Sequence, residues 1–508
     1  MKKPGSRSAV LLSPAYNDND YLKAESLGIR AIAAVLETQG AQVDVFDEVS
    51  SIDENLSKLI SSARLVGIGT LFTRQIPDAL RLASKIRAIS PTSHVIIGGQ
   101  GTTFLWKRIL EDSPDIDSCC MYEGDDTVRT VWQRILGGEN FLEIPGLVVR
   151  HDGRVIQPSR TANPIENLDA LPFAYRVSAS HATHVTMATS RGCAAHCSFC
   201  QSGNYGNRYH KLPKWRSRSA ANVVQEIVSL ANSGVTAISI VDDDFLGGDG
   251  RGVDRAVEFC RLLENSRKKI TFSIECRVDE ITEDVIGILH GVGLRHVLIG
   301  IESANEADDR LFAKKITEDQ IDRAIQVLRE TGVDFSAGFI MFHPLSIPDG
   351  LEQNLRYLLL RSIGTYRRVT NRLELYPGAP LSTYYRRKGI DFFEENYRLY
   401  YMFSNPIVAR YYEAVRSLLR PFVDLENFAE DVRFALDTQH LPGSPARRAA
   451  LELTRDLSSA LVTSALECLD VVGRGSLDEL GVLRSRVTRR ITEIRSKFVD
   501  LNNEEVNQ

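Results

Sequence analysis

The sequence predicts an α/β chain: an N-terminal doubly wound parallel sheet, a central partial (β/α)6 barrel and a C-terminal helical region. Three observations carry this. Short apolar runs alternate with amphipathic stretches from Ala9 to about residue 137, six further strand-helix units lie between His184 and Leu375, and beyond Tyr400 only helical periods remain. The expected divisions are 1–140 for the first domain, 141–178 for a hairpin and linker, 179–385 for the barrel, 386–500 for the helical domain and 501–508 for a frayed tail.

In the first segment "AVLLSP", "AQVDVF", "LVGIGT" and "HVIIGGQG" read as strands, with "LGIRAIAAVLETQG" and "PDALRLASKIRAI" as the helices between them. Crossovers of that kind build a parallel sheet covered on both faces. Ligands of such sheets bind beyond the carboxyl ends of the strands, which singles out Ser13 to Asn17, Thr70 to Arg74 and Gly98 to Thr102. "IPGLVVRHDGRVIQP" reads as a hairpin turning at Asp152-Gly153. The barrel strands are expected at His184 to Ala188, Val235 to Val241, Ile270 to Glu275, His296 to Ile301, Asp334 to Ile340 and Arg368 to Leu375. Helical stretches such as "ITEDVIGILHGVG" separate them, each closing on glycine. A complete eight-fold barrel usually needs about 250 residues, so six units imply an incomplete one, with its chemistry at the carboxyl ends of the strands.

The 508 residues are 43% hydrophobic and carry a formal charge of -5, which argues against an electrostatic nucleic-acid binder and favours a small-molecule substrate. The apolar run in "MKKPGSRSAVLLSP" is too short for a signal peptide, and no stretch is long enough to span a membrane. Eight cysteines in such a chain are expected to be reduced thiols of a cytoplasmic protein.

Three of the eight, Cys193, Cys197 and Cys200, crowd into "SRGCAAHCSFC" directly after the first barrel strand. A structural zinc would need a fourth ligand from His196, His210, Cys276 or elsewhere. An iron-sulfur cube normally takes four cysteines, so three leave one iron open to another ligand.

The spacing Cys-x3-Cys-x2-Cys, with Phe199 before the last thiol, resembles the radical SAM superfamily. The resemblance implies a [4Fe-4S] cluster held by Cys193, Cys197 and Cys200 as the catalytic centre, its open iron chelating the amino and carboxylate groups of S-adenosylmethionine (SAM). It extends strand by strand. "VDDDF" places Asp242 and Asp243 at the amino end of SAM, "ECRVDEIT" places Arg277 at its carboxylate, and "IGIES" places Glu302 near its ribose or amino group. "LYPGAPL" matches the exit from the barrel.

"VIIGGQGTTF", "MYEGDDT", "IPGLVVRHDGRVI" and "IENLDALPF" extend the likeness to class B, the cobalamin-binding subclass, which implies a Rossmann-like first domain of the B12-binding type. Gly98 and Gly99 would then let the macrocycle approach the backbone, and Thr73 and Arg74 would lie against it. The Asp-x-His-x-x-Gly ligand of other cobalamin enzymes does not occur, the first histidine being His94, so a cobalt without a lower histidine is expected. "GFIMFHPLSI" departs from the usual pattern and makes Phe342 and His343 candidates for the substrate pocket. Cys119, Cys120, Cys260, Cys276 and Cys468 read as inert thiols.

The resulting expectation is an enzyme that methylates carbon, or phosphorus, of a small specialised metabolite, fed by an external one-electron donor such as flavodoxin or ferredoxin. A cobalamin-assisted rearrangement or cyclisation without methyl transfer is the first alternative. A zinc-binding structural or regulatory protein is the second.

Overall fold

Strands in the first domain are apolar on both faces because helices cover both. The computed structural model describes residues 7–15, 25–162, 164–176, 182–202, 214–247, 250–439, 444–476 and 478–506. Strands β1 (Ser8–Pro14), β2 (Gln42–Val49), β3 (Leu65–Gly69), β4 (His94–Gly98) and β5 (Ser118–Cys120) pair in parallel in the order β2-β1-β3-β4-β5. Val10, Leu12, Val66 and Ile68 face one apolar layer, and Ala9, Leu11, Leu65 and Ile96 the other. Cys119 and Cys120 point to opposite layers and are buried. The strand order reverses between β1 and β3, which opens a crevice at their carboxyl ends. Of the expected 13–17 loop, residues 16 and 17 lie outside the described residues.

The hairpin β6 (Leu147–His151) and β7 (Arg154–Ile156) is not a free connector: β6 pairs antiparallel with β5, Cys120 opposite Leu147, and extends this sheet to seven strands.

Parallel strands also build the barrel: β8 (His184–Met187), β11 (Ala237–Ile240), β12 (Thr271–Arg277), β13 (Leu294–Glu302) and β14 (Asp334–Phe339), in the order β14-β13-β12-β11-β8. Between β8 and β11 a two-residue antiparallel clasp, β9 (Ser190–Arg191) with β10 (Arg216–Ser217), brackets the cysteine loop. On β12 buried Phe272, Ile274 and Cys276 alternate with partly open Ser273, Glu275 and Arg277, so one face packs on helices and the other lines the lumen.

The sixth strand expected at Arg368 to Leu375 is a correction. Residues Tyr366–Thr370 form a helix, capped where the Thr365 hydroxyl accepts the Arg368 N–H, and only an isolated parallel bridge, Phe342 to Arg372, continues the sheet. The Arg368 guanidinium donates to the carbonyls of Ala337 and Ile363, which fixes that turn.

A second hairpin, β15 (Phe392–Glu395) with β16 (Arg398–Tyr401), sits where only helices were expected, and Phe393 stacks on Tyr400 at 5.3 Å. Helices Pro406–Leu419, Phe422–Gln439, Pro445–Gly473 and Glu479–Val506 complete the chain. The last runs into the segment expected to fray, since buried Ile494 and Phe498 and partly buried Leu501 anchor it. These helices share one apolar cluster with the outer layer of the barrel.

Candidate active site

The cysteine loop leaves β8 through Gly192, whose φ of 84° and lack of a side chain are both required, because a Cβ there would collide with the Lys214 carbonyl. Backbone bonds from Ser198 N–H to Phe312 O (2.8 Å) and from Leu381 N–H to Ser198 O (2.8 Å) fix its middle. Phe199 packs edge-on against Phe312, ring centroids 5.5 Å apart. The Cys193 thiol lies 3.5 Å from Asp244 Oδ2, and burial beside that carboxylate pushes its pKa well up. Cys197 is raised by burial too, while nearby Lys314 and Arg277 favour its thiolate.

The loops after β11 to β13 close over these thiols. Asp242 is enclosed and accepts the Thr189 N–H (2.6 Å), the Ser190 N–H (2.9 Å) and the Thr189 hydroxyl. It braces the end of β8 rather than opening to a ligand. Asp243 is open to solvent on one side; burial of its other side raises its pKa, against which nearby Ser202 and the Gly192 N–H favour the carboxylate. Arg277 pairs with Asp279 (2.9 Å) and donates to Lys314 O (3.3 Å). Burial would lower its pKa, but Asp279 and the thiols of Cys197 and Cys193 raise it.

Glu302 ends β13 with φ 69°, after a register shift against β14. A non-glycine residue in that region costs roughly 1–3 kcal/mol and persists only where its surroundings demand it. Here the Lys314 ammonium donates to Glu302 Oε1 at 2.7 Å, and the pair lies over Gly300 and Gly338; a Cβ on Gly300 would meet Lys314 Nζ and Glu302 Oε1.

Two residues here escaped the sequence reading. Lys314, in "FAKKIT", carried no signal until Glu302 was placed. Glu275 was legible in principle, two residues before Arg277 and so on the same strand face. Its burial, with Asp243 and Asp242 nearby, pushes its pKa up to about 7.

The expected pocket residues Phe342 and His343 are both buried. Phe342 is fully buried against Phe403, Tyr411 and Tyr412 of the C-terminal part. His343 is 3% exposed: Nε2 lies 2.9 Å from Asp308, and Nδ1 accepts from Leu345 N–H and lies 3.2 Å from the Tyr385 hydroxyl. Its hydrogen-bonding capacity is spent inside the protein.

Across the crevice of the first sheet, Gly99 adopts φ 109°, and any Cβ would strike the Thr70 carbonyl. Thr70 and Thr102 hydroxyls meet at 2.9 Å. The Thr70 to Gln75 loop is held by buried Gln75, whose Oε1 accepts the N–H groups of Leu71 and Phe72 and whose Nε2 donates to Pro14 O. Thr73 is buried in that loop. Arg74 stacks over Phe72 at 4.7 Å; burial lowers its pKa, opposed by Glu374 of the barrel exit. Leu71 is 59% exposed, an apolar surface at the crevice mouth. His94 lies at the opposite end of β4, bonded to Ser118.

The two carboxyl-end faces meet. Gln100 Nε2 donates to Ser202 Oγ (3.2 Å), Gln201 Nε2 donates to Pro377 O (2.9 Å), and the Phe104 ring fills the space left by Gly378. Arg191 bridges Glu123 (3.0 Å) and Asp125 (2.8 Å), and Arg216 also pairs with Glu123.

The three thiols fit an iron-sulfur cluster better than a closed zinc site. Among the described residues no three His, Cys, Asp or Glu groups are arranged to hold a single ion. Cys276 faces the core, His196 is exposed with Lys214 Nζ 2.8 Å from its Nδ1, and His210 lies outside the described residues.

Residues 187–358 match the radical SAM superfamily and residues 15–131 a B12 binding domain. The chain therefore carries a radical SAM domain together with a B12-binding domain. The former implies a [4Fe-4S] cluster and SAM, and the latter supports cobalamin. An uncharacterised methyltransferase of Pyrococcus horikoshii is 26% identical over 303 residues, 58% of this chain and 63% of that protein. The anaerobic magnesium-protoporphyrin IX monomethyl ester cyclase of Rubrivivax gelatinosus is 25% identical over 293 residues, 54% of this chain and 50% of that protein. The chain therefore spans less than two thirds of the length of either. The fold matches the cobalamin-dependent SAM radical enzyme OxsB with aqua-cobalamin bound, at TM-score 0.74 and 16% identity, over 99% of this chain and 81% of that one.

Proposed function

We propose that this radical SAM enzyme transfers a methyl group from cobalamin to an unactivated carbon, or to phosphorus, of a small specialised metabolite. When bound, the cluster supplies a strong one-electron reductant for the SAM sulfonium, and cobalamin supplies a transferable methyl group. The observation that carries this reading is the opposition of the two loops: Gln100, next to the Gly98-Gly99 turn, touches Ser202, two residues after Cys200. A substrate held between the two faces would then be within reach of both cofactors without crossing bulk water.

The thiolates of Cys193, Cys197 and Cys200 would hold the cluster, with Phe199, packed on Phe312, beside it. Asp243 and the Glu302–Lys314 pair would orient the amino and ribose groups of SAM, Arg277 would bind its carboxylate, and Asp242 would act through the β8 terminus. Gly98, Gly99 and Thr73 would shape the cobalamin seat, with Arg74, stacked over Phe72, lining it. The electron comes from an external carrier of the flavodoxin or ferredoxin type. No helix among the described residues is long and apolar enough to cross a membrane, and eight cysteines outside any disulfide suit a reducing cytoplasm.

A second reading is favoured by the cyclase relative: the same cofactors drive a rearrangement or ring closure with no methyl in the product. SAM carrying a labelled methyl group decides. Label in the product supports methyl transfer, unlabelled product with 5'-deoxyadenosine supports the rival, and no SAM cleavage by reduced, reconstituted protein overturns both.

A further inference from the structure

We infer that Gln100 is a positioning residue that couples the cobalamin seat to the SAM site, so that occupancy of one raises affinity for the other. The inference rests on the cofactor reading above and on a continuous chain of contacts. Gly99 cannot relax, because its φ of 109° and its packing on the Thr70 carbonyl fix the turn. A macrocycle seated on that turn therefore displaces or steadies the residue that follows it, and that residue is Gln100. Its amide donates to Ser202 Oγ at 3.2 Å. Ser202 and the Gly192 N–H, at the entry to the cysteine loop, in turn lie close enough to Asp243 to favour its carboxylate. Four groups thus run from the floor of one cofactor seat to a carboxylate of the other.

The neighbouring contacts restrict where this chain can give. Gln201 is tied to Pro377 O at 2.9 Å, and Gly378 is packed under the Phe104 ring, so the chain just before Ser202 and just beyond Gln100 is braced. The Gln100 side chain is the adjustable member. Half-buried between two domains, it can be ordered by a ligand on its own side, and the ordering cost is then already met when SAM arrives.

Coupling of this sort is reciprocal: the factor by which cobalamin tightens SAM must equal the factor by which SAM tightens cobalamin. One neutral hydrogen bond accounts for roughly a 3- to 10-fold factor. The test uses the full-length, anaerobically reconstituted protein. The SAM dissociation constant is measured with and without hydroxocobalamin, and the hydroxocobalamin constant with and without SAM, by calorimetry and by the visible cobalamin bands.

Wild type should show the same several-fold factor both ways. Gln100→Ala and Ser202→Ala should bring it close to one while iron and sulfide content stays at the wild-type level, and Ser202→Thr, which keeps the hydroxyl, should restore it. The double variant Gln100→Ala/Ser202→Ala should be no worse than either alone. An unchanged factor in Gln100→Ala, or no coupling in a wild-type protein that binds both cofactors, overturns the inference and leaves the functional reading standing. Wild-type protein that binds neither overturns both.

Discussion

Cys197 is the most enclosed of the three loop thiols, with Lys314 and Arg277 close enough to favour its thiolate. Replacing it with Ala should abolish cluster incorporation, read as loss of iron and acid-labile sulfide, and with it 5'-deoxyadenosine formation. Gly99→Leu should act on the other cofactor alone. The φ of 109° and the Thr70 carbonyl leave no room for a side chain, so cobalamin retention after gel filtration should fall by an order of magnitude or more while iron content stays near wild type. His94 gives a pH prediction. Burial depresses its pKa to about 4 against an ordinary 6.5, so the folded state holds it neutral. That contribution to stability is complete above pH 6.5 and is lost as pH falls through about 4. The melting temperature should drop over that interval, and His94→Asn should flatten the drop. The cysteine motif was legible because its spacing is local. His343 misled because one histidine in a loop looks the same whether it meets a ligand or, as here, Asp308 and Tyr385.

At the scale of elements, β13 shows where sequence pattern stops. Its alternation was readable, and so was the carboxylate at its end. The left-handed turn at Glu302 was not, because it follows from the register shift against β14, a pairing 37 residues away in sequence (Phe339 opposite Glu302). The Glu302–Lys314 pair is correspondingly demanding. Lys314→Met strands a buried carboxylate and should cost about 3–5 kcal/mol of unfolding free energy, measured by denaturant titration. Adding Glu302→Gln should recover most of that stability without restoring SAM affinity, which separates packing from ligand orientation. The sixth strand was misjudged for a related reason. "RRVTNRLEL" is rich enough in β-branched and apolar residues to look like a strand, yet the Thr365 cap and the two carbonyls held by Arg368 favour a helical turn.

For the whole molecule, the doubly wound sheet, the partial barrel and the helical end were legible from periodicity alone. Their joints were not, since an interface leaves no period. Phe342 illustrates this: its neighbours are Phe403, Tyr411 and Tyr412, on segments that chain order does not place beside it. Truncation after Asn405 would expose that cluster along with the apolar faces of the helices around it. The shortened protein should partition to the insoluble fraction, and any soluble remainder should bind a hydrophobic dye strongly; a monomeric truncate with a sharp melt would show that the helical region is dispensable for the barrel.

The Phe104 ring seated over Gly378 has a consequence for how such proteins diversify. A joint of knob and notch is keyed: a vitamin-carrying module transplanted onto a foreign barrel will seat only if the recipient offers a residue without a side chain at that one spot. Recombination between cousins is therefore filtered by a single atom, the absent β-carbon, before any question of chemistry arises.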